Sequence, residues 1–164
     1  MRSLRFLAAA TLLGVFIPWA ADARAPAERN IAGVQVDGVG RESTVSLADL
    51  KPDNRWVVIV LDAHRLGSVA YVNSLRSSGY EGKNAIVLIV GDSAGAIALS
   101  KRRALLPDAR WVAARAGAGM KALNLSGTPV VLGIELDHVV WQESGMPLHA
   151  GDLAVRISDW VARR

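Results

Sequence analysis

Two apolar runs constrain the fold more than anything else in this sequence. Trp56-Val57-Val58-Ile59-Val60-Leu61 and Ala85-Ile86-Val87-Leu88-Ile89-Val90 are continuous rather than alternating, and rich in β-branched residues. A strand wetted on one face alternates apolar with polar side chains, so an unbroken run predicts a strand covered on both faces. Between the runs, Leu66, Val69, Ala70, Val72 and Leu75 recur at helical spacing while Arg65, Asn73 and Arg76 face elsewhere, and Gly79 closes the segment. A strand, a helix and a second strand in succession predict parallel pairing in an α/β protein.

The remaining order extends that pattern. Gly33 to Gly38 alternates and turns like a short strand or hairpin arm, and Ser46 to Leu50 resembles a capped helical turn ended by Pro52. Ala96 to Leu106 suits a second helix stopped by Pro107. Trp111 to Ala114 suits a short strand, and Gly119 to Leu125 a short helix. Val130–Leu136 and Val139–Gln142 are strands so close together that only an antiparallel hairpin joins them, with Asp137-His138 as its turn. Asp152 is placed to cap a final helix that sets Leu153, Ile157, Trp160 and Val161 on one face.

The N-terminus points to export. Arg2 and Arg5 precede a short apolar stretch to Trp19, and small residues follow at Ala20, Ala21, Ala23 and Ala25, the layout of a secretory signal peptide cut after Ala23. Pro18 and the shortness of the run argue against a spanning anchor. With no cysteine anywhere in the 164 residues, a lipid-anchored lipoprotein is excluded, and disulfides contribute nothing to stability. A composition that is 51% apolar leaves the core to supply it. The net charge of +4 is mild, and Lys101-Arg102-Arg103 is the single basic run, expected to be a solvated helix face rather than a nucleic-acid contact. His64, His138 and His149 are isolated, so no metal is expected. Trp56, Trp111, Trp141 and Trp160 are expected in the core or at sheet edges. Arg115 to Gly119 lacks the third glycine and the lysine of a phosphate loop, and no cofactor is expected.

This order resembles the thioredoxin-like superfamily from about Trp56 to Val161. The most specific part is Ala122-Leu123-Asn124-Leu125-Ser126-Gly127-Thr128-Pro129, similar to the family segment in which a short helix leads into a Gly-Thr-Pro turn whose proline is cis. Asp137-His138-Val139-Val140 stands where the family has its hairpin turn, and Gly145 where a glycine precedes the last helix. Residues 33–50 resemble the N-terminal extension of periplasmic TlpA-like members. The resemblance implies a three-layer α/β sandwich with a mixed central sheet, a C-terminal hairpin and a final helix. It divides the chain into a signal peptide (1–23), an extension (24–54) and a thioredoxin-like domain (55–164).

The departure from the family is chemical. Its Cys-x-x-Cys lies where the first central strand hands over to its helix, and here that junction is Asp62-Ala63-His64-Arg65-Leu66-Gly67-Ser68. A gapless overlay puts Arg65 and Ser68 at the two cysteine positions, to within one residue. A helix N-terminus activates a thiol by stabilising its thiolate; neither arginine nor serine can form a mixed disulfide. Thiol–disulfide exchange, peroxiredoxin chemistry and glutathione-dependent roles needing an enzyme thiol are therefore not implied. The groove is. In relatives the edge before the cis proline receives an extended peptide by strand-like hydrogen bonding, which assigns His64, Arg65, Ser68, Thr128 and Pro129 to a binding groove. The implied protein is a non-redox binder of a periplasmic or envelope partner, without nucleic acid or a stable membrane anchor after cleavage. Accessory proteins of conjugative transfer systems look similar in size and layout.

A rival motif stands beside this reading. Gly91-Asp92-Ser93-Ala94-Gly95 matches the G-x-S-x-G nucleophile elbow, between an apolar strand and a helix, and resembles the esterases related to hormone-sensitive lipase. Asp137 and His149 follow in the required chain order to complete a triad with Ser93. No His-Gly-Gly oxyanion segment precedes the elbow, and Asp137 is better used in the hairpin turn. Two glycines and a serine are also what a tight strand-to-helix loop needs, with Ser93 as the helix cap.

Overall fold

The computed structural model of the protein describes residues 29–39 and 43–163. The expected signal peptide, its cleavage site and most of the polar lead-in lie outside the described residues. Seven strands and four helices follow in the order β1 (Gln35–Gly38), β2 (Thr44–Ser46), β3 (Arg55–Asp62), α1 (Leu66–Ser77), β4 (Ala85–Gly91), α2 (Ser93–Ser100), β5 (Arg110–Arg115), α3 (Ala116–Ala122), β6 (Val130–Glu135), β7 (His138–Ser144) and α4 (Ala150–Ala162). Single 3-10 turns occupy Ala48–Leu50 and Arg103–Leu105.

All seven strands form one mixed sheet in the order β2-β1-β5-β4-β3-β6-β7. The parallel centre is β3-β4-β5, and β6 and β7 add antiparallel strands on one side. The sequence reading missed β2 and the attachment of the β1–β2 hairpin to β5.

The unbroken apolar runs are explained by two cores. Val58, Val60, Ile86 and Leu88 enter one, closed by Ile31, Val34 and Leu47 from the N-terminal segment and Leu123 beside α3. Val57, Ile59, Val87 and Ile89 enter the other, closed by Tyr71 and Leu75 of α1, Leu99 of α2, and Leu153 and Ile157 of α4. Odd and even positions of the central strands therefore each bury an apolar side chain, at roughly 1.5–3 kcal/mol apiece.

Four boundaries differ from expectation, each for a local reason. α2 begins at Ser93 rather than Ala96 because the Asp92 carboxylate caps it, accepting from the Gly95 N–H at 2.6 Å; Ser93 is the first helical residue, not the cap. The same helix stops at Ser100, and the chain continues through Leu105→Arg102 and Leu106→Arg103 backbone bonds to the separate turn. The hairpin turn is Leu136-Asp137 instead of Asp137-His138, since Glu135 pairs with His138. Finally, α4 starts two residues before Asp152, so Asp152 lies in the first turn and makes no cap.

One close approach shapes the β6–β7 edge. A Cβ on Gly133 would lie 1.9 Å from Trp141 Nε1, so the indole rests directly on the glycine. Trp141 meets Trp160 of α4 edge-on, at 6.1 Å and 87°.

Candidate functional site

Three loops meet at the C-terminal end of the parallel strands. The first is the β3–α1 junction. Asp62 organises it: its Oδ1 accepts from the His64 N–H at 2.8 Å, and its carbonyl accepts from the Arg65 N–H at 3.3 Å. Its Oδ2 lies 3.6 Å from Arg65 Nε. Arg65 occupies the extended N-cap position of α1 with an exposed side chain. Ser68, the third residue of the helix, is fully buried, and its hydroxyl donates to the Asp62 carbonyl at 2.7 Å.

The helix face that packs is therefore Ser68, Tyr71, Val72 and Leu75. Leu66, expected on that face, is the first residue of the helix and is 92% exposed instead. Ser68 is corrected in the opposite sense. It lines no open groove: its oxygen is satisfied inside the first turn.

The second loop carries Thr128 and Pro129. Their peptide bond is cis. Pro129 is buried and Thr128 half-buried. Arg65 Nη1 reaches across and donates to the Thr128 carbonyl at 3.4 Å. The Pro129 carbonyl accepts from the Gly145 N–H at 2.8 Å, which ties the segment before α4 to the same place. A cavity of about 300 Å³ opens here, lined by Ser126, Thr128, Pro129, Gln142, Ser144 and Gly145 among others. Leu66 follows Arg65, and Met146 follows Gly145, so both adjoin residues bonded to the Thr128–Pro129 pair. Met146 is 50% exposed and Leu148, two residues on, is 98% exposed.

The third loop is the β4–α2 junction. His64 Nε2 lies 3.1 Å from Asp92 Oδ2, linking this loop to the first. The Gly95 N–H, aided by the His64 charge, holds the Asp92 carboxyl below the usual carboxylate range.

The two glycines of the G-x-S-x-G match have a packing explanation. A Cβ on Gly91 or on Gly95 would come within 2.7 Å of the Ala63 methyl, so both must lack one for α2 to start against the β3–α1 loop. Gly91 also takes φ +152°, which disfavours any side chain. Ser93 is exposed at the start of α2, and His149 is exposed just before α4. Asp137 sits in the β6–β7 turn, beside the Arg55 end of β3 and so at the opposite end of the sheet from Ser93. Ser93 and Asp137 are not brought together.

Asp62, Asp92, Leu66, Met146 and Leu148 were not singled out by sequence reasoning. An Asp two residues before His64 and another three before Gly95 carried the signals of a turn and a helix cap. Nothing in the sequence marked the three exposed apolar side chains. Among the described residues no three His, Cys, Asp or Glu side chains group to hold a metal ion.

No family model matches the sequence, and no curated protein matches it. Solved structures do match the fold. A secreted disulfide oxidoreductase of Mycobacterium tuberculosis, homologous to E. coli DsbE, superposes with a TM-score of 0.59 at 11% identity, covering 78% of this chain and 96% of its own. A thiol:disulfide interchange protein from Bacteroides sp. gives 0.57 at 14% identity, covering 82% and 90%. A thioredoxin-like protein from Porphyromonas gingivalis gives 0.57 at 13% identity, covering 79% and 90%. At these identities the likeness is one of fold, and the fold is thioredoxin-like.

Proposed function

We propose, from a thioredoxin-like α/β fold that holds no cysteine, that this protein is an exported binding factor. It would hold an extended, apolar segment of an envelope protein partner at the rim formed by His64, Arg65, Thr128 and Pro129. One observation carries the reading: Leu66, Met146 and Leu148 are exposed, and Leu66 adjoins Arg65 and Met146 adjoins Gly145 in the chain, the two residues bonded to the Thr128–Pro129 pair. Large apolar side chains left exposed near a site favour a partner.

Export is supported by the signal-like pattern of residues 1–23, and the Mycobacterium tuberculosis neighbour is itself secreted. No described helix is long and apolar enough to cross a membrane. The proposed location is the periplasm, and the proposed role is assembly of an envelope complex, with a conjugative transfer system as one setting. Nucleic acid is not part of the proposal.

A photo-crosslinking residue placed at Met146 in the producing cell tests it. The expected result is a discrete adduct with one envelope protein, lost when Leu66→Glu is added. No adduct, or an adduct indifferent to Leu66→Glu and Leu148→Glu, would overturn the groove. The alternative, a small serine hydrolase built on Ser93, rests on its sequence match and keeps its own test. Fluorophosphonate labelling abolished by Ser93→Ala would establish it.

A further inference from the structure

We propose a second docking site: a cationic cleft at the far edge of the sheet that takes an acidic, partly apolar segment of a partner protein. The cleft encloses about 290 Å³ where the β1–β2 hairpin, the start of β5 and the end of α2 meet. Arg103 and Arg110 line it beside Trp111, Val45 and Leu50, and none of its lining residues is acidic.

Two elements supply the charge independently. Lys101, Arg102 and Arg103 follow the last residue of α2, where positive charge complements the helix dipole. That accounts for the run but not for Arg110, which opens β5 and lines the same recess. Among the described residues, several cations elsewhere in the protein are paired, and some, such as Lys51, Lys83 and Lys121, are not. Arg55, Arg65, Arg76 and Arg156 each have a carboxylate within salt-bridge distance. Among the described residues, Lys101, Arg102, Arg103 and Arg110 have none, and all four are exposed. Like charges gathered around a recess raise the local potential and draw an anion into it.

The shape selects the kind of anion. A lipid surface recruits a basic face through apolar side chains that protrude. Here Val45, Leu50 and Trp111 are walls of a recess, so the occupant must project into it. A guanidinium fork binds a carboxylate bidentately, and the apolar walls suit the side chains flanking that carboxylate. The cleft lies at the opposite end of the sheet from Arg65: Arg110 pairs beside Ile86 near the start of β4, whereas Arg65 follows the end of β3. Groove and cleft can therefore be filled together, and the failure of one leaves the other standing.

Fluorescence anisotropy of the purified protein with a fluorescein-labelled alternating Glu-Leu peptide tests the site. The expected result is binding that weakens steeply as salt is raised, with none for the Lys-Leu counterpart. Arg103→Glu with Arg110→Glu should lower affinity at least about tenfold, while the circular-dichroism melt and the Met146 crosslink are unchanged. Peptide binding indifferent to that pair would overturn the proposal. So would arginine-dependent binding to phosphatidylglycerol vesicles with no peptide binding. Glu42 precedes Ser43 of the cleft in sequence; a tenfold gain in peptide affinity on Glu42→Gln would make this chain's own carboxylate the occupant and overturn a partner.

Discussion

The fully buried Ser68 hydroxyl donates to the Asp62 carbonyl at 2.7 Å. This bond closes the β3–α1 junction and fixes where Arg65 emerges. Ser68→Ala removes the donor but leaves the carbonyl its bond from the Arg65 N–H. A net loss of about 1 kcal/mol is expected, the ordinary worth of one buried hydrogen bond, measured by urea unfolding. A loss near zero would mean that the hydroxyl does not organise the junction.

Arg65 and Ser68 stand three residues apart, one exposed and one buried, at the helix start to which the overlay assigns a cysteine pair. Because the chain contains no cysteine, any thiol signal in a variant is the introduced one. Arg65→Cys with Ser68→Cys should therefore oxidise to an intramolecular disulfide, seen as loss of maleimide labelling that a reductant restores. If both thiols stay reactive after oxidation, the overlay is out of register.

Sequence patterns exposed the centre of the fold because its physics is local. Trp56–Leu61 and Ala85–Val90 each fill two cores, and a run that does so cannot alternate. The β1–β2 hairpin was less legible: it is held by pairing with β5, more than seventy residues away, and no nearby residue encodes that contact. The candidate site divides the same way. Thr128-Pro129 and the Arg65/Ser68 junction were visible as a motif and a gap in a motif. The exposure of Leu66, Met146 and Leu148 was not, since exposure of a leucine is decided by what fails to cover it. Helical spacing even pointed Leu66 inward.

The Gly91 to Gly95 segment makes opposite predictions as packing and as catalysis. Gly95→Ala would bring a methyl within 2.7 Å of the Ala63 methyl, with His64 at 3.2 Å, and should destabilise by roughly 1–3 kcal/mol, the usual cost of overpacking. Adding Ala63→Gly should recover part of that loss. Ser93→Ala should stay within about 0.5 kcal/mol, as surface changes do. Thermal denaturation of the four proteins decides it. A Gly95→Ala variant as stable as the parent would remove the packing explanation of the motif.

Asp92 carries a pH signature. The Gly95 N–H and His64 favour its ionised form, so its folded pKa lies below the ordinary 3.8. A carboxyl depressed on folding adds stability above its unfolded pKa and loses it as pH falls through the folded one. Asp92→Asn keeps an oxygen to cap Gly95 but removes the charge. The stability difference between parent and variant should shrink as pH falls below about 4. A difference that persists undiminished at pH 2 would assign the effect to the cap alone.

Gly133 and Trp141 test the β6–β7 edge. Any side chain at Gly133 enters the volume of the indole, since its Cβ would lie 1.9 Å from Nε1. The ring must then leave, abandoning its edge contact with Trp160 and the Arg156 guanidinium, which sits 4.6 Å from its centre. Gly133→Ala is expected to cost about 1–3 kcal/mol. Once Trp141→Ala has emptied the space, the same change meets no obstacle, so the two should be non-additive by at least about 1 kcal/mol, as for residues in direct contact. Urea unfolding of the four-protein cycle, followed by circular dichroism, measures that coupling. Strict additivity would show that Trp141 does not rest on Gly133 in solution, and would leave α4 held to the hairpin by other contacts.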